Sequence, residues 1–225
     1  MPTNEYKYVM ISLTYTFPKG QKMGFIKYKK TFSDQKDIKK SFESILQAAD
    51  NAQFLLTNLK SFAQKKEEQA EKVNTTELID SALSLCKHHF VKNNVTVKKN
   101  FPPIPLMITG YKFSLMQVLL NMIVNSVYAI ADARKTDPNR KGTLEITISA
   151  ENNDVQFTVA DNGCGISEED LKKIFEPLFT TKGEQGCGLG LSISNDIITN
   201  KHHGTIAVTS TVGTGTTFKI TLPEA

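Results

Sequence analysis

Asn121 and Asn125 stand four residues apart in a stretch without glycine or proline, so on a helix their amides share one face. Tyr128 follows on that face at i+7. Neutral amide oxygens suit Mg²⁺, which takes a few protein oxygens beside phosphate oxygens and water. A lone asparagine inside a helix is more often solvated or locally bonded, so the pair is the informative feature. A second constellation is Asp161-Asn162-Gly163-Cys164-Gly165-Ile166, directly after the strand-like run Val155 to Val159. Gly163 and Gly165 allow backbone to approach a flat ligand closely, and the Asp161 carboxylate can accept a hydrogen bond from an exocyclic amine. Alone, the same residues also make a plain turn.

A third stretch, Gly186-Cys187-Gly188-Leu189-Gly190-Leu191, immediately precedes a helical pattern. Its free amides and the helix N-terminus form an anion site. Between the two glycine loops lies Phe175-Glu176-Pro177-Leu178-Phe179-Thr180-Thr181-Lys182, which brings one lysine to where phosphates would sit. A loop of roughly 20 residues inside a compact domain is more often functional than filler. Ser167, with Asp170 three residues on, reads as the N-cap of a short helix that ends before Pro177.

These residues need a frame. The helix that carries the two asparagines runs from about Lys112 to Ala133, with Leu115, Leu119, Met122, Ile123 and Ile130 facing a core. Asn74 and Glu77 form a capping pair that opens a helix bearing Leu78, Ile79, Ala82, Leu85 and Cys86. A short strand is expected around Val95 and Val97, then the proline-rich link Phe101 to Pro105. Alternation marks strands at Leu144-Ile146-Ile148, Val155-Phe157-Val159, Ile206 to Thr211 and Thr217 to Leu222, with a helix from Leu191 to Ile198. Strands adjacent in sequence and joined by short turns imply an α+β fold: a mixed, largely antiparallel sheet with helices on one face.

Upstream, residues 6–32 alternate as a hairpin turning at Pro18-Lys19-Gly20. From Gln35 to Glu68 the residues Ile38, Phe42, Ile45, Ala49, Ala52, Leu56, Leu59 and Ala63 keep a 4-3-4-3 spacing, a seam for a dimerising helix. The expected organisation is 1–34 strand-rich, 35–72 long dimerisation helix, and 73–225 a compact unit.

Composition excludes several classes. The 225 residues are 40% hydrophobic and 22% charged with net charge +4, and the lysines are scattered without a basic patch interleaved with aromatics. No nucleic-acid partner follows. The longest apolar run, Val118 to Ile130, is short of the roughly 20 residues that span a bilayer, and no secretory signal opens the chain. A cytoplasmic location is expected, with Cys86, Cys164 and Cys187 as reduced thiols.

Taken together, the motifs resemble the ATP-binding domain of sensor histidine kinases, in the superfamily shared with DNA gyrase, heat-shock chaperones and mismatch-repair ATPases. The N box resembles Gln117 to Ile130, the first glycine box Asp161 to Gly165, the F box Phe175 to Phe179, the second glycine box Gly186 to Gly190, and the last Gly213-Thr214-Gly215-Thr216-Thr217-Phe218. The resemblance covers residues 70–223 and implies a Bergerat-type two-layer α/β sandwich. It implies that Asp161 binds the adenine amine, Asn125 ligates Mg²⁺ with Asn121 in support, and Lys182 meets the terminal phosphates. It further implies that amides from Gly186, Gly188, Leu189, Gly190 and Leu191 cradle the phosphates, Gly163 and Gly165 admit the base, and Thr216 reaches it through water. Residues 167–185 would be the ATP lid.

Some positions depart from the family. Tyr128 stands where many relatives carry a basic phosphate contact. Tyr111 replaces an acidic residue, and His203-Gly204 replaces a Gly-Gly turn, with His202 and His203 expected as turn residues. The family's first dimerisation helix, which bears the phosphate-accepting histidine, is missing; residues 6–32 vaguely resemble the closing hairpin of a PAS sensor instead. The resemblance therefore implies the ATP-dependent half of a histidine kinase acting on a histidine of a separate dimerisation domain and signalling to a response regulator receiver domain. The alternative is a degenerate ATP-binding scaffold. A homodimer through 38–63 is expected either way.

Overall fold

The computed structural model of the chain describes residues 7–11, 15–16, 22–23, 28–32, 69–182 and 188–224. The chain divides into two compact units, residues 1–60 and 61–225. The dimerisation seam, Gly186 and Cys187 lie outside the described residues.

In the first unit, β1 (Lys7–Ile11) pairs antiparallel with β4 (Tyr28–Phe32), and β2 (Tyr15–Thr16) with β3 (Lys22–Met23). The nested pairs form the hairpin expected from the alternation.

The second unit begins with β5 (Glu71–Asn74), α1 (Thr75–Leu85), α2 (Lys87–Lys92), β6 (Val95–Asn100) and β7 (Met107–Gly110). Then follow α3 (Lys112–Thr136), β8 (Gly142–Glu151), β9 (Asp154–Asp161) and α4 (Glu168–Leu171). The unit ends with α5 (Gly190–Asp196), continued by a π-helical turn (Ile197–Lys201), and with β10 (Thr205–Thr211) and β11 (Gly215–Pro223). Five strands form one sheet in the order β10-β11-β9-β8-β6. Only the β6–β8 pair is parallel, because β7 and α3 intervene as a crossover connection. The other neighbours are antiparallel, as short turns dictate.

One face of the sheet is buried. Leu144, Ile146 and Ile148 of β8, Val155, Phe157 and Val159 of β9, and Phe218, Ile220 and Leu222 of β11 all alternate inward. Against them α3 packs Leu115, Val118, Leu119, Met122, Ile123 and Val127. Helix α3 is long and apolar enough to cross a membrane by length and composition alone, and 56% of its most apolar stretch is buried within the fold, as in a core helix. Period 3.6 and period 2 meet here, producing the expected two-layer α/β arrangement. At α1, Asn74 Oδ1 accepts the Thr76 and Glu77 amides while its Nδ2 donates to Glu77 Oε1, which realises the capping pair.

Residues 71 and 72, assigned to the end of the long helix, belong to β5, which pairs with β7 from Glu71↔Gly110 to Asn74↔Met107. That partner lies more than 30 residues away, beyond any local periodicity. His202 is a turn residue, as expected, and it is also a buried strut. Its Nε2 accepts the Tyr111 N–H at 2.9 Å and its Nδ1 faces the Ile197 carbonyl at 2.8 Å, so Nδ1 carries the proton. It ties the start of α3 to the end of the π-helical turn. His203 does take the turn conformation, at φ 55°.

Candidate functional site

Asp161 ends β9 with strands on both sides, in register with Thr216 of β11 and Leu144 of β8. Its Oδ1 accepts the Gly163 N–H at 2.8 Å and the Thr216 N–H at 3.3 Å. Burial pushes the carboxyl above its ordinary value, while the Gly163 amide, the Ser126 hydroxyl and the Thr216 amide pull the other way. The Ser126 hydroxyl on α3 faces this carboxyl yet completes no hydrogen bond of normal geometry, leaving a buried polar atom without a partner.

The turn after Asp161 is fixed from three sides. Asn162 Oδ1 accepts the Thr143 N–H at 2.7 Å, and its Nδ2 donates to the Lys141 carbonyl at 2.7 Å. The Cys164 N–H donates to Ala129 O of α3, and the Gly213 N–H to Cys164 O. Gly163 presses on the helix so closely that a Cβ there would lie 2.6 Å from Ala129 backbone. Gly165 has φ +75° and faces the Thr211 carbonyl. Both glycines are thus required by packing, and the approach they permit is first to α3 and β10. Thr216 is buried; its hydroxyl lies 2.9 Å from Ser210 Oγ, which also accepts the Ile166 N–H.

On α3, Asn121 is 5% exposed and bonded throughout. Its Nδ2 donates to Ser194 Oγ of α5 at 3.0 Å, and its Oδ1 accepts Asn125 Nδ2 at 3.3 Å. Asn125 Oδ1 in turn accepts the Lys182 ammonium at 2.6 Å, and that ammonium lies 4.7 Å from the Tyr128 ring centre. The sequence-expected trio of Asn121, Asn125 and Lys182 therefore forms one connected line from core to surface.

The second glycine stretch is described from Gly188 onward. Gly188 has φ +64° and its carbonyl accepts the Leu178 N–H at 2.9 Å, which binds the F-box stretch to the start of α5. Leu189 forms the N-cap of α5 and Leu191 packs against the core. Gly190 abuts Asn121. Ser167 Oγ accepts the Asp170 N–H and donates to Asp170 Oδ2, so α4 opens at the expected cap.

Asp161, Thr216, Ser126, Asn125 and Lys182 supply a half-buried carboxylate, hydroxyls of which that of Ser126 lacks a partner, an amide oxygen and a cation. That donor set fits a purine nucleotide with a hard divalent cation. Sequence reasoning passed over Ser126, Ser194, Ser210 and Asn162. Ser194 was findable, since it falls four residues after Gly190 and so shares its helix face. The others act through contacts between distant elements.

A family model described as histidine kinase-, DNA gyrase B-, and HSP90-like ATPase matches residues 110–225. The C4-dicarboxylate transport sensor protein DctB of Rhizobium meliloti (strain 1021) is 32% identical over 185 residues, covering 82% of this chain and 28% of that protein. Sporulation kinase B of Bacillus subtilis (strain 168) is 31% identical over 179 residues, covering 80% and 40% respectively. The chain spans well under half the length of these relatives. Among solved structures, the catalytic domain of histidine kinase ThkA superposes with TM-score 0.60 at 30% identity, over 69% of this chain and 96% of that one. ThkA in complex with response regulator protein TrrA gives TM-score 0.66 at 24% identity, over 86% and 53%, a likeness of fold.

Proposed function

Because this chain belongs to the histidine kinase-, DNA gyrase B- and HSP90-like ATPase family, we propose that its second unit binds Mg-ATP as the catalytic part of a two-component histidine kinase. Asp161 accepts the hydrogen bond of the adenine amine, and Thr216 and Ser126 complete the polar floor beside it. Gly163 and Gly165 shape the turn behind the base. Asn125 offers its amide oxygen to Mg²⁺, and Asn121 orients Asn125. Lys182 meets the terminal phosphates, and the amides of 186–191 gather their oxygens. Bound Mg²⁺ neutralises phosphate charge, and positioning with electrostatic stabilisation supplies most of the catalysis in phosphoryl transfer.

The observation that carries this reading is the Asp161 carboxylate. It is half-buried at the end of a central strand, held by two backbone amides, and beside a hydroxyl that lacks a partner. Calorimetry with Mg-ATP on the unmodified chain and on Asp161→Asn tests it. Loss of a charge-assisted hydrogen bond in a closed pocket costs on the order of 1.5 to 3 kcal/mol. Equal affinities end the reading.

The acceptor is a histidine on a separate dimerisation domain, and the downstream partner is a response regulator receiver domain. The ThkA complex with response regulator protein TrrA supports the second partner. The 4-3-4-3 seam supports a homodimer through 38–63, which light scattering checks directly. A cellular location on the ATP-rich, cytoplasmic side of the membrane follows from the nucleotide requirement.

A further inference from the structure

Asn125 has one amide oxygen, and its own Nδ2 is committed to Asn121 Oδ1. That oxygen accepts the Lys182 ammonium at 2.6 Å. A monovalent cation thus occupies the amide oxygen assigned to a divalent one, and the two must exchange when Mg-ATP enters. The same ammonium lies 4.7 Å from the ring centre of Tyr128. Tyr128 follows Asn125 by three residues on α3, so ring and amide are neighbours on that helix surface. A neutral ring contributes no charge toward phosphate. Its face does attract an ammonium.

We propose that Tyr128 is a positioning residue for Lys182. Its ring gathers the ammonium onto the Asn125 oxygen in the nucleotide-free protein, and keeps it beside the site when the metal takes that oxygen and the lysine turns to phosphate. The inference rests on the Mg-ATP reading above. Ordering a long, flexible side chain on binding costs entropy, and a lysine already gathered against a ring has lost part of that freedom beforehand. An uncharged residue at 128 then serves the phosphate site through its neighbour.

The test is the acetylation rate of Lys182 in the nucleotide-free protein, read by mass spectrometry as a ratio to exposed Lys173 in the same sample. Tyr128→Leu and Tyr128→Met should raise the ratio about 2- to 5-fold, the range expected for losing an exposed cation–π contact. Tyr128→Phe keeps the ring and should stay near the unmodified value. Unfolding would also release Lys182, so the ratio is read at a temperature where thermal melts show each variant fully folded, which separates loss of the ring from loss of the fold. An unchanged ratio in the Leu and Met variants overturns the proposal, as does an equal rise in the Phe variant. Calorimetry on the unmodified chain distinguishes the deeper failure: if Mg-ATP binds while the ratios stay flat, only the tyrosine's role is wrong. If Mg-ATP does not bind at all, the underlying reading fails and the proposal with it.

Discussion

Gly190 touches Asn121 so closely that a Cβ on the glycine would lie 2.2 Å from the asparagine Oδ1. The same Oδ1 receives Asn125, and the same amide's Nδ2 reaches Ser194, whose hydroxyl donates to the Gly190 carbonyl at 2.9 Å. The second glycine box and the N box are thus one packed joint between α3 and α5. Gly190 is a glycine because Asn121 fills the space a side chain would take.

Gly190→Ala should push Asn121 aside and cost about 1 to 3 kcal/mol by overpacking. Nucleotide affinity should fall with it, because Asn121 holds Asn125. Thermal melting and calorimetry read the two effects. Asn121→Ala in the same chain should recover part of the stability, since it removes the atoms the new methyl strikes. A double variant no more stable than Gly190→Ala would show that the clash lies elsewhere.

The joint shows what the sequence could and could not yield. Asn121 and Asn125 are legible at i and i+4, and Gly188 and Gly190 as a box before a helix, since both patterns are local. Their mutual contact crosses about 70 residues and follows from the sheet bringing α3 and α5 together. β5 was hidden for the same reason, because its pairing with β7 is set by a distant partner. His202 is legible as a turn residue beside His203 and Gly204, but its burial is not. Its burial follows from Gly110, where a Cβ would sit 2.8 Å from the imidazole.

Asp161 sets a relation between pH, stability and binding. Its folded pKa is raised above the ordinary 3.8 by burial. Between the unfolded and folded values the native state binds the extra proton, so stability falls as pH rises through that window. The ionised group at neutral pH is a cost to folding that binding requires. Asp161→Asn should therefore melt at neutral pH no lower than the unmodified chain, while its Mg-ATP affinity drops at least tenfold. Its amide oxygen can still accept the Gly163 and Thr216 amides. A large fall in melting temperature would show that the carboxylate's hydrogen bonds outweigh its desolvation.

Cys164 is half-buried in the turn after Asp161, with its thiol pushed up by burial and then by the nearby Asp132 carboxylate. Cys86 lies in the core, pushed up to about 11 by burial. Thiolate is the reactive form, so alkylation of Cys164 should be slow at neutral pH and quicken as pH rises, with Cys86 slower still. Mg-ATP seated beside the turn should slow Cys164 further. Labelling followed by mass spectrometry checks both, and an unchanged Cys164 rate at saturating Mg-ATP would place the base elsewhere.

The last expectation is that the chain by itself binds ATP without phosphorylating itself on histidine. Its four histidines are His88, His89, His202 and His203. His202 has both ring nitrogens engaged, one accepting the Tyr111 amide and one facing the Ile197 carbonyl, so it offers no free lone pair. His88 and His89 lie on α2, which packs beside α1, α3 and β6, whereas the nucleotide residues come from the middle of α3, the end of β9 and the start of α5. His203 sits in a left-handed turn leading into β10. Phosphoryl transfer needs the attacking nitrogen nearly in line with the leaving oxygen, and a histidine elsewhere on the same domain gains little from its local concentration. Incubation with γ-labelled ATP should leave no acid-labile, base-stable label on the isolated chain. Adding a histidine-bearing dimerisation domain should produce that label on the added domain. Label on the chain alone that disappears in a His88→Ala or His89→Ala variant would identify α2 as the acceptor and overturn this assignment.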